Sequence, residues 1–172
     1  ENIERAIKKS SDKNMGIYEE IRYEGFGPEG TSIIVEALTD NRNRTAAAVR
    51  TSFQKNGGNF AESGSVSHQF TRYGFLKYPT TTANQDDFFS LAIESGAEDC
   101  LFEEDYFEAV CMPDSLSIFY NSLEKVFGEP ESSGFLWRPS NLIEVTGEKV
   151  KSLFNLIDEL DDNEDIQAVF SN

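Results

Sequence analysis

Three closely spaced glycines constrain the fold most, because they carry a nucleotide-binding spacing in a context that argues against such a site. Gly25, Gly27 and Gly30 spell G-x-G-x-x-G, which cradles a phosphate when a helix begins directly after it. Residues 31–38 are instead rich in β-branched and apolar side chains, which predicts a strand. Pro28 restricts one backbone angle and Gly30 can adopt positive φ, so the glycines predict the turn of a β-hairpin.

The hydrophobic pattern predicts two α+β units, one inserted in the other. From residue 73 the chain spells strand, helix, hairpin, helix and strand, which is the β-α-β-β-α-β order of ferredoxin-like domains. The segments before residue 73 and after residue 141 together spell a second set of strands and helices. We therefore predict an α+β fold of two ferredoxin-like α/β sandwich domains. The predicted domains are 16–72 plus 142–172, the inserted acidic domain 73–141, and, in 1–15, a linker and the end of a missing helical N-terminal domain.

The only histidine, His68, lies in a predicted third strand over residues 65–70. There Val66, His68 and Phe70 alternate toward one face. Histidine is the usual general base and a common metal ligand. The chain has no second histidine and no G-x-S-x-G elbow, however, so we predict a packed, hydrogen-bonded His68 rather than a hydrolase site.

The other residue types argue against the common enzyme and metal chemistries. Cys100 and Cys111 form no C-x-x-C pair and are predicted to be small apolar groups on neighbouring strands. The acidic runs 103–105 and 161–165 lack the spacing of a calcium loop, which predicts a hairpin turn and a helix-to-strand loop. No apolar run approaches the ~20 residues of a membrane span. We predict a non-enzymatic cytoplasmic protein with no catalytic residue, metal, cofactor, membrane contact or small-molecule substrate.

The charge is distributed unevenly along the chain. The formal net charge is −16, residues 73–141 carry 13 acidic and 3 basic side chains, and ten of the fifteen Lys and Arg residues precede residue 73. Because nucleic-acid affinity comes mainly from cations that neutralise phosphates, we predict any nucleic-acid contact on the N-terminal side. The acidic domain has two open interpretations: a solubilising surface, or a module that docks a basic partner such as a ribosomal protein.

A predicted helix over residues 45–55 carries the candidate site. A helix N-terminus flanked by arginines can hold a phosphate through its free N–H groups and guanidinium forks. Two interpretations stay open: Asp40, Asn41 or Asn43 caps the helix while its cations face solvent or pair within the chain, or the cations contact phosphate. The nucleic-acid-binding candidates are Arg42, Arg44, Arg50 and Lys55.

Several motifs in combination resemble one family. They are Y-E-G-F-G-P at 23–28, E-A-L-T-D-N-R-N-R-T at 36–45, K-N-G-G-N at 55–59, G-S-V at 64–66, E-S-G-A-E-D at 94–99 and D-I-Q-A-V-F at 165–170. In these the chain resembles the YebC/PmpR family, whose mitochondrial members are translational activators of a cytochrome oxidase subunit. That family commonly has glycine where this chain has Glu29, and often an aromatic residue where it has His68.

The resemblance carries expectations of its own. It implies three domains, a helical one followed by two α+β domains, with the last inserted in the second. It implies either a DNA-binding transcriptional regulator or a ribosome-associated factor that helps translation through difficult sequences such as proline runs. The family has no known catalytic residues to carry over.

Overall fold

The computed structural model describes residues 17–172, so the predicted helical tail and linker over 1–15 lie outside the described residues. The chain divides into two compact units. The first consists of the described residues up to Thr71 together with Pro139–Asn172, and the second is Arg72–Arg138. Each unit contains a four-stranded sheet and two helices, which confirms the predicted α+β fold class.

The first unit contains an antiparallel sheet. Its strands lie in the order Asn59–Ala61 (β3), Glu19–Phe26 (β1), Ser32–Thr39 (β2) and Ile166–Ser171 (β8). Buried side chains of both helices and of β2 and β8 form its core. Its central strands β1 and β2 are consecutive in the chain. With elements numbered along the chain, the helices of this unit are α1 (Arg42–Lys55) and α4 (Glu148–Asp162).

The strands of the second unit lie in the sheet in the order Asp99–Phe102 (β5), Tyr106–Cys111 (β6), Phe70–Pro79 (β4) and Ser132–Pro139 (β7). Along the chain, its elements follow the predicted β-α-β-β-α-β order. Cys100 and Cys111 are free thiols on its neighbouring strands β5 and β6, and burial raises the pKa of each to about 11. Neither is therefore a reactive thiolate at neutral pH. The helices of this unit are α2 (Gln85–Glu94) and α3 (Leu116–Phe127).

The glycine-rich stretch forms the predicted hairpin between β1 and β2. A Cβ on Gly25 would lie 2.6 Å from Cε1 of Phe53, so glycine allows α1 to pack closely on β1. In the turn Pro28–Gly30, Glu29 has a φ of 62°, the left-handed region that favours glycine. This is the position at which the family resemblance expects glycine.

Within residues 17–172, no helix is long and apolar enough to cross a membrane.

The prediction of a third strand over residues 65–70 is wrong. That segment contains the 3-10 turn Ser67–Gln69, and β3 lies earlier, at Asn59–Ala61. The predicted packing of His68 between Val66 and Phe70 is also wrong, because His68 is exposed on the turn. Residue types do alternate along 65–70, but the backbone of this segment forms a turn and not an extended strand.

The physical reason for the turn is the buried carboxylate of Glu24 on β1. Its oxygens accept hydrogen bonds from the backbone N–H groups of Gly64 (2.6 Å), Val66 (3.0 Å) and Ser67 (2.7 Å). Burial by itself raises the pKa of Glu24, but these three hydrogen bonds, together with one from the Ser67 side chain, outweigh it and leave the pKa below its ordinary value. The Nε atom of Arg22 lies 3.6 Å from the same carboxylate. The loop therefore wraps around an anion.

We expect Glu24→Gln to lower the free energy of unfolding by about 1–3 kcal/mol at pH 7, because an amide cannot accept all three N–H bonds as well. A lowered pKa in the folded state stabilises the fold above the unfolded-state pKa, and this stabilisation is lost as pH falls through the folded value. The difference between the wild type and the variant should therefore narrow on acidification. Urea denaturation between pH 7 and pH 3 measures it, with the exposed loop variant Glu62→Gln as control. A difference that is independent of pH would contradict this role.

Candidate nucleic-acid interface

The N-terminus of α1 is held by a side-chain cap. Oδ1 of Asn41 accepts a hydrogen bond from the backbone N–H of Arg44 at 3.1 Å, and Oγ1 of Thr39 accepts one from the N–H of Asn41 at 3.0 Å. Of the three capping residues that the sequence offered, the structure selects Asn41. The helix therefore begins at Arg42, and the motif residues 39–41 form its cap.

The carboxylate of Asp165, just before β8, is the centre of a polar cluster at this helix end. It is 7% exposed and accepts a hydrogen bond from Oγ1 of Thr45 at 2.9 Å. The same hydroxyl oxygen lies 2.8 Å from Oγ1 of Thr39. The backbone carbonyl of Asp165 accepts a hydrogen bond from the N–H of Leu38 at 2.8 Å. One residue thus connects the end of β2, the start of α1 and the start of β8.

Arg44 is part of this cluster. Its Nε and Nη2 atoms donate to the carboxylate of Asp165 at 3.3 and 2.9 Å, and Nη2 also donates to Oδ1 of Asp40 at 2.9 Å. The hydrogen bonds to Asp165, and then those to Asp40, raise the pKa of Arg44. For this guanidinium, the structure supports the interpretation of pairing within the chain.

Lys55 is engaged in a second ion pair, at the other end of α1. Its Nζ lies 2.8 Å from Oε1 of Glu159 on α4, and Nδ2 of Asn56 donates to the other carboxylate oxygen at 3.1 Å. The hydrogen bond from Lys55 lowers the pKa of Glu159. Arg44 and Lys55 therefore both pair with acids outside α1, from the α4–β8 part of the first unit.

Arg42 and Arg50 lie on the flank of α1 that faces the strands β1 and β3. The Arg42 side chain is 66% exposed, and its Nη1 lies 3.6 Å from Oε2 of Glu19, too far for a strong hydrogen bond. The guanidinium carbon of Arg50 lies 5.1 Å from the ring centroid of Phe60, a cation–π contact. The ring of Phe60 in turn lies 5.9 Å from that of Tyr23. The four candidate cations are thus divided between two flanks of the helix.

Comparison with known proteins agrees with this architecture. Residues 18–172 match the family described as "TACO1/YebC second and third domain". The chain is 47% identical over 172 residues to "Probable transcriptional regulatory protein ZMO0153" of Zymomonas mobilis, covering all of this chain and 69% of that protein. A crystal structure of the conserved hypothetical protein Aq1575 from Aquifex aeolicus superposes with a TM-score of 0.88 at 35% identity, covering 99% of this chain and 71% of the other.

The chain belongs to the TACO1/YebC family. The resemblance that its motifs suggested is therefore confirmed.

Sequence reasoning misses two important carboxylates of this TACO1/YebC chain. In the sequence, Asp165 is the last residue of the acidic run 161–165, and Glu24 is one residue of the Y-E-G-F-G-P motif. For Asp165 the available signal is its place directly before a strand of alternating apolar residues, whereas Glu24 lies within β1 and has no such signal. Within residues 17–172, no three His, Cys, Asp or Glu side chains are grouped closely enough to hold a metal ion.

The two ion pairs of α1 should differ in their contribution to stability. We expect Arg44→Met to lower the free energy of unfolding by about 1–3 kcal/mol, because it removes the charge-assisted hydrogen bonds that Arg44 donates to the buried carboxylate of Asp165. We expect Lys55→Met to cost about 1 kcal/mol or less, because its pair with Glu159 is more solvent-exposed. Urea denaturation at pH 7 compares the two variants directly. Equal losses would contradict the structural role assigned to Arg44.

Proposed function

We propose that this chain is part of a gene-expression regulator that contacts nucleic acid through the Arg42 and Arg50 flank of α1. The name of its Zymomonas mobilis relative, a probable transcriptional regulatory protein, supports the regulatory role. The place of contact is supported by the different partners of the four α1 cations. Arg44 and Lys55 pair closely with carboxylates, whereas Arg42 and Arg50 do not. No catalytic step is part of this proposal.

Arg42 and Arg50 are the cations that a phosphate can recruit most easily. A phosphate that bound Arg44 or Lys55 would have to displace a carboxylate at 2.9 or 2.8 Å. The contact of Arg42 with Glu19 is longer, at 3.6 Å, and Arg50 rests on an aromatic ring. Arg44 and Lys55 would add long-range positive potential, while Arg42 and Arg50 would make the direct contacts.

The surroundings of this flank suit a nucleic-acid backbone. Phe60 supports the guanidinium of Arg50 and limits its conformational freedom, which reduces the entropy lost on binding. Between the two arginines, α1 exposes Asn43 and Ala47, whose small side chains permit close approach. Arg42 and Arg50 are about 12 Å apart along the helix axis, at 1.5 Å per residue, so they would neutralise two different phosphates.

The target can be promoter DNA, as expected of a transcriptional regulator, or ribosomal RNA, as expected of a ribosome-associated translation factor. Phosphate contacts carry no sequence information, so both targets would use the same arginines. The proposal is therefore tested with both: a labelled DNA duplex and a labelled ribosomal RNA fragment, at low salt. Binding to only one of them would assign the class of target.

We expect the double variant Arg42→Glu/Arg50→Glu to weaken binding at least about tenfold and to reduce the slope of log K against log salt concentration by about 2. Fluorescence anisotropy at several salt concentrations measures both quantities. The matched control is Lys149→Glu/Lys151→Glu on α4, which makes the same change in net charge elsewhere in the first unit. If both double variants weaken binding equally, or neither does, this site assignment is wrong.

A further inference from the structure

The second unit exposes an apolar surface where α2 meets strand β5. Phe89 and Ile93 are 46% and 44% exposed and lie one helical turn apart, so they share a face of α2. The ring of Phe89 lies 6.2 Å from that of Phe102 on β5. We call the side chains of Phe89, Ile93 and Phe102, together with β5 itself, the α2/β5 surface.

Contacts with other phenylalanine rings of the second unit hold Phe102 of this surface in place. Phe102 makes edge contacts with Phe107 at 5.3 Å and with Phe88 at 6.4 Å. Phe88 is itself stacked on Phe127 at 5.5 Å. An aromatic anchor supported in this way loses little conformational entropy when a partner covers it, which is the property of interface hot spots.

Strand β5 lies at the edge of its sheet, next to β6. An edge strand presents a row of backbone N–H and C=O groups to which an extended polypeptide can add. In such complexes the backbone hydrogen bonds provide affinity, and alternate side chains of the added strand fill neighbouring pockets. Phe89 and Ile93, beside this edge, would receive apolar side chains.

The charge around the surface selects the partner. From residue 78 to residue 124 the chain contains eleven Asp and Glu residues and no Lys, Arg or His. Asp99 of β5 is within 3.3 Å of Arg138, so its charge is partly neutralised. The exposed acids on α2 and in the turn after β5 are Asp86, Asp87, Glu94, Glu103, Glu104 and Asp105. This potential repels phosphate and attracts cations.

We propose that the α2/β5 surface binds a lysine- and arginine-rich polypeptide segment that adds to β5 and places apolar side chains on Phe89 and Ile93. The surface lies wholly within the second unit, and nucleic-acid contact by Arg42 and Arg50 is a separate activity of the first. A failure of either proposal leaves the other intact. A nucleic acid is disfavoured at this surface by its predominantly negative charge.

A synthetic peptide that alternates lysine and leucine is the probe, and a peptide that alternates glutamate and leucine is its control. Both are titrated into the whole chain, with fluorescence anisotropy as the readout. We expect the lysine peptide to bind, the glutamate peptide not to bind, and Phe89→Ser/Ile93→Ser to weaken the binding at least about tenfold. Circular dichroism shows whether this variant remains folded.

A second variant tests the charge without touching the apolar anchors. Glu103→Lys/Glu104→Lys changes exposed turn residues and should also weaken binding of the lysine peptide. The matched control Asp162→Lys/Glu164→Lys makes the same change in net charge at the end of α4 and in the loop before β8, and should weaken it much less. Three results would overturn the proposal: no binding of the lysine peptide, equal losses in both charge variants, or self-association of the chain through Phe89 in place of peptide binding.

Discussion

The arrangement of the first unit depends on one buried carboxylate, that of Asp165. A carboxylate removed from water is stable only if charge-assisted hydrogen bonds replace its hydration, and Arg44 and Thr45 supply them. Because Arg44 and Thr45 open α1 and Asp165 precedes β8, this contact sets where the helix starts relative to the last strand. Glu24 acts in the same way on the loop after β3, with backbone N–H groups as its partners. Both anions organise the backbone around them.

This structural use of charge changes the interpretation of the basic motif at 39–45. Thr39 and Asn41 cap the helix, and Arg44 and Thr45 bind Asp165, so most of the motif serves the fold. Arg42 and Arg50 lie on the other flank and are the cations that we assign to nucleic acid. The second unit, with its long run of acidic residues and exposed aromatic side chains, suits a cationic polypeptide instead. The two units therefore present surfaces of opposite chemical preference.

The sequence predicted most of the elements because their signals are local. These local signals are the run of β-branched and apolar residues in β2, the alternation in β8, the helical spacing in α1 and α4, and the glycine turn at Pro28–Gly30. The failures at 65–70 and His68 arose because the backbone there is bent by Glu24, some forty residues away. The pairing of Arg44 with Asp165 spans 121 residues, so helical spacing alone could not distinguish it from a solvent-facing cation. Contacts between distant segments decide which charges remain available for binding.

We propose that Arg44 stabilises the fold, while Arg42 and Arg50 contact nucleic acid. The most direct test is an NMR titration of the ¹⁵N-labelled chain with a DNA duplex and with a ribosomal RNA fragment, following the Nε–H signals of the arginines. We expect the Arg42 and Arg50 signals to shift, while the Arg44 signal stays in place and exchanges slowly with water. A shift of the Arg44 signal, with those of Arg42 and Arg50 unchanged, would contradict it.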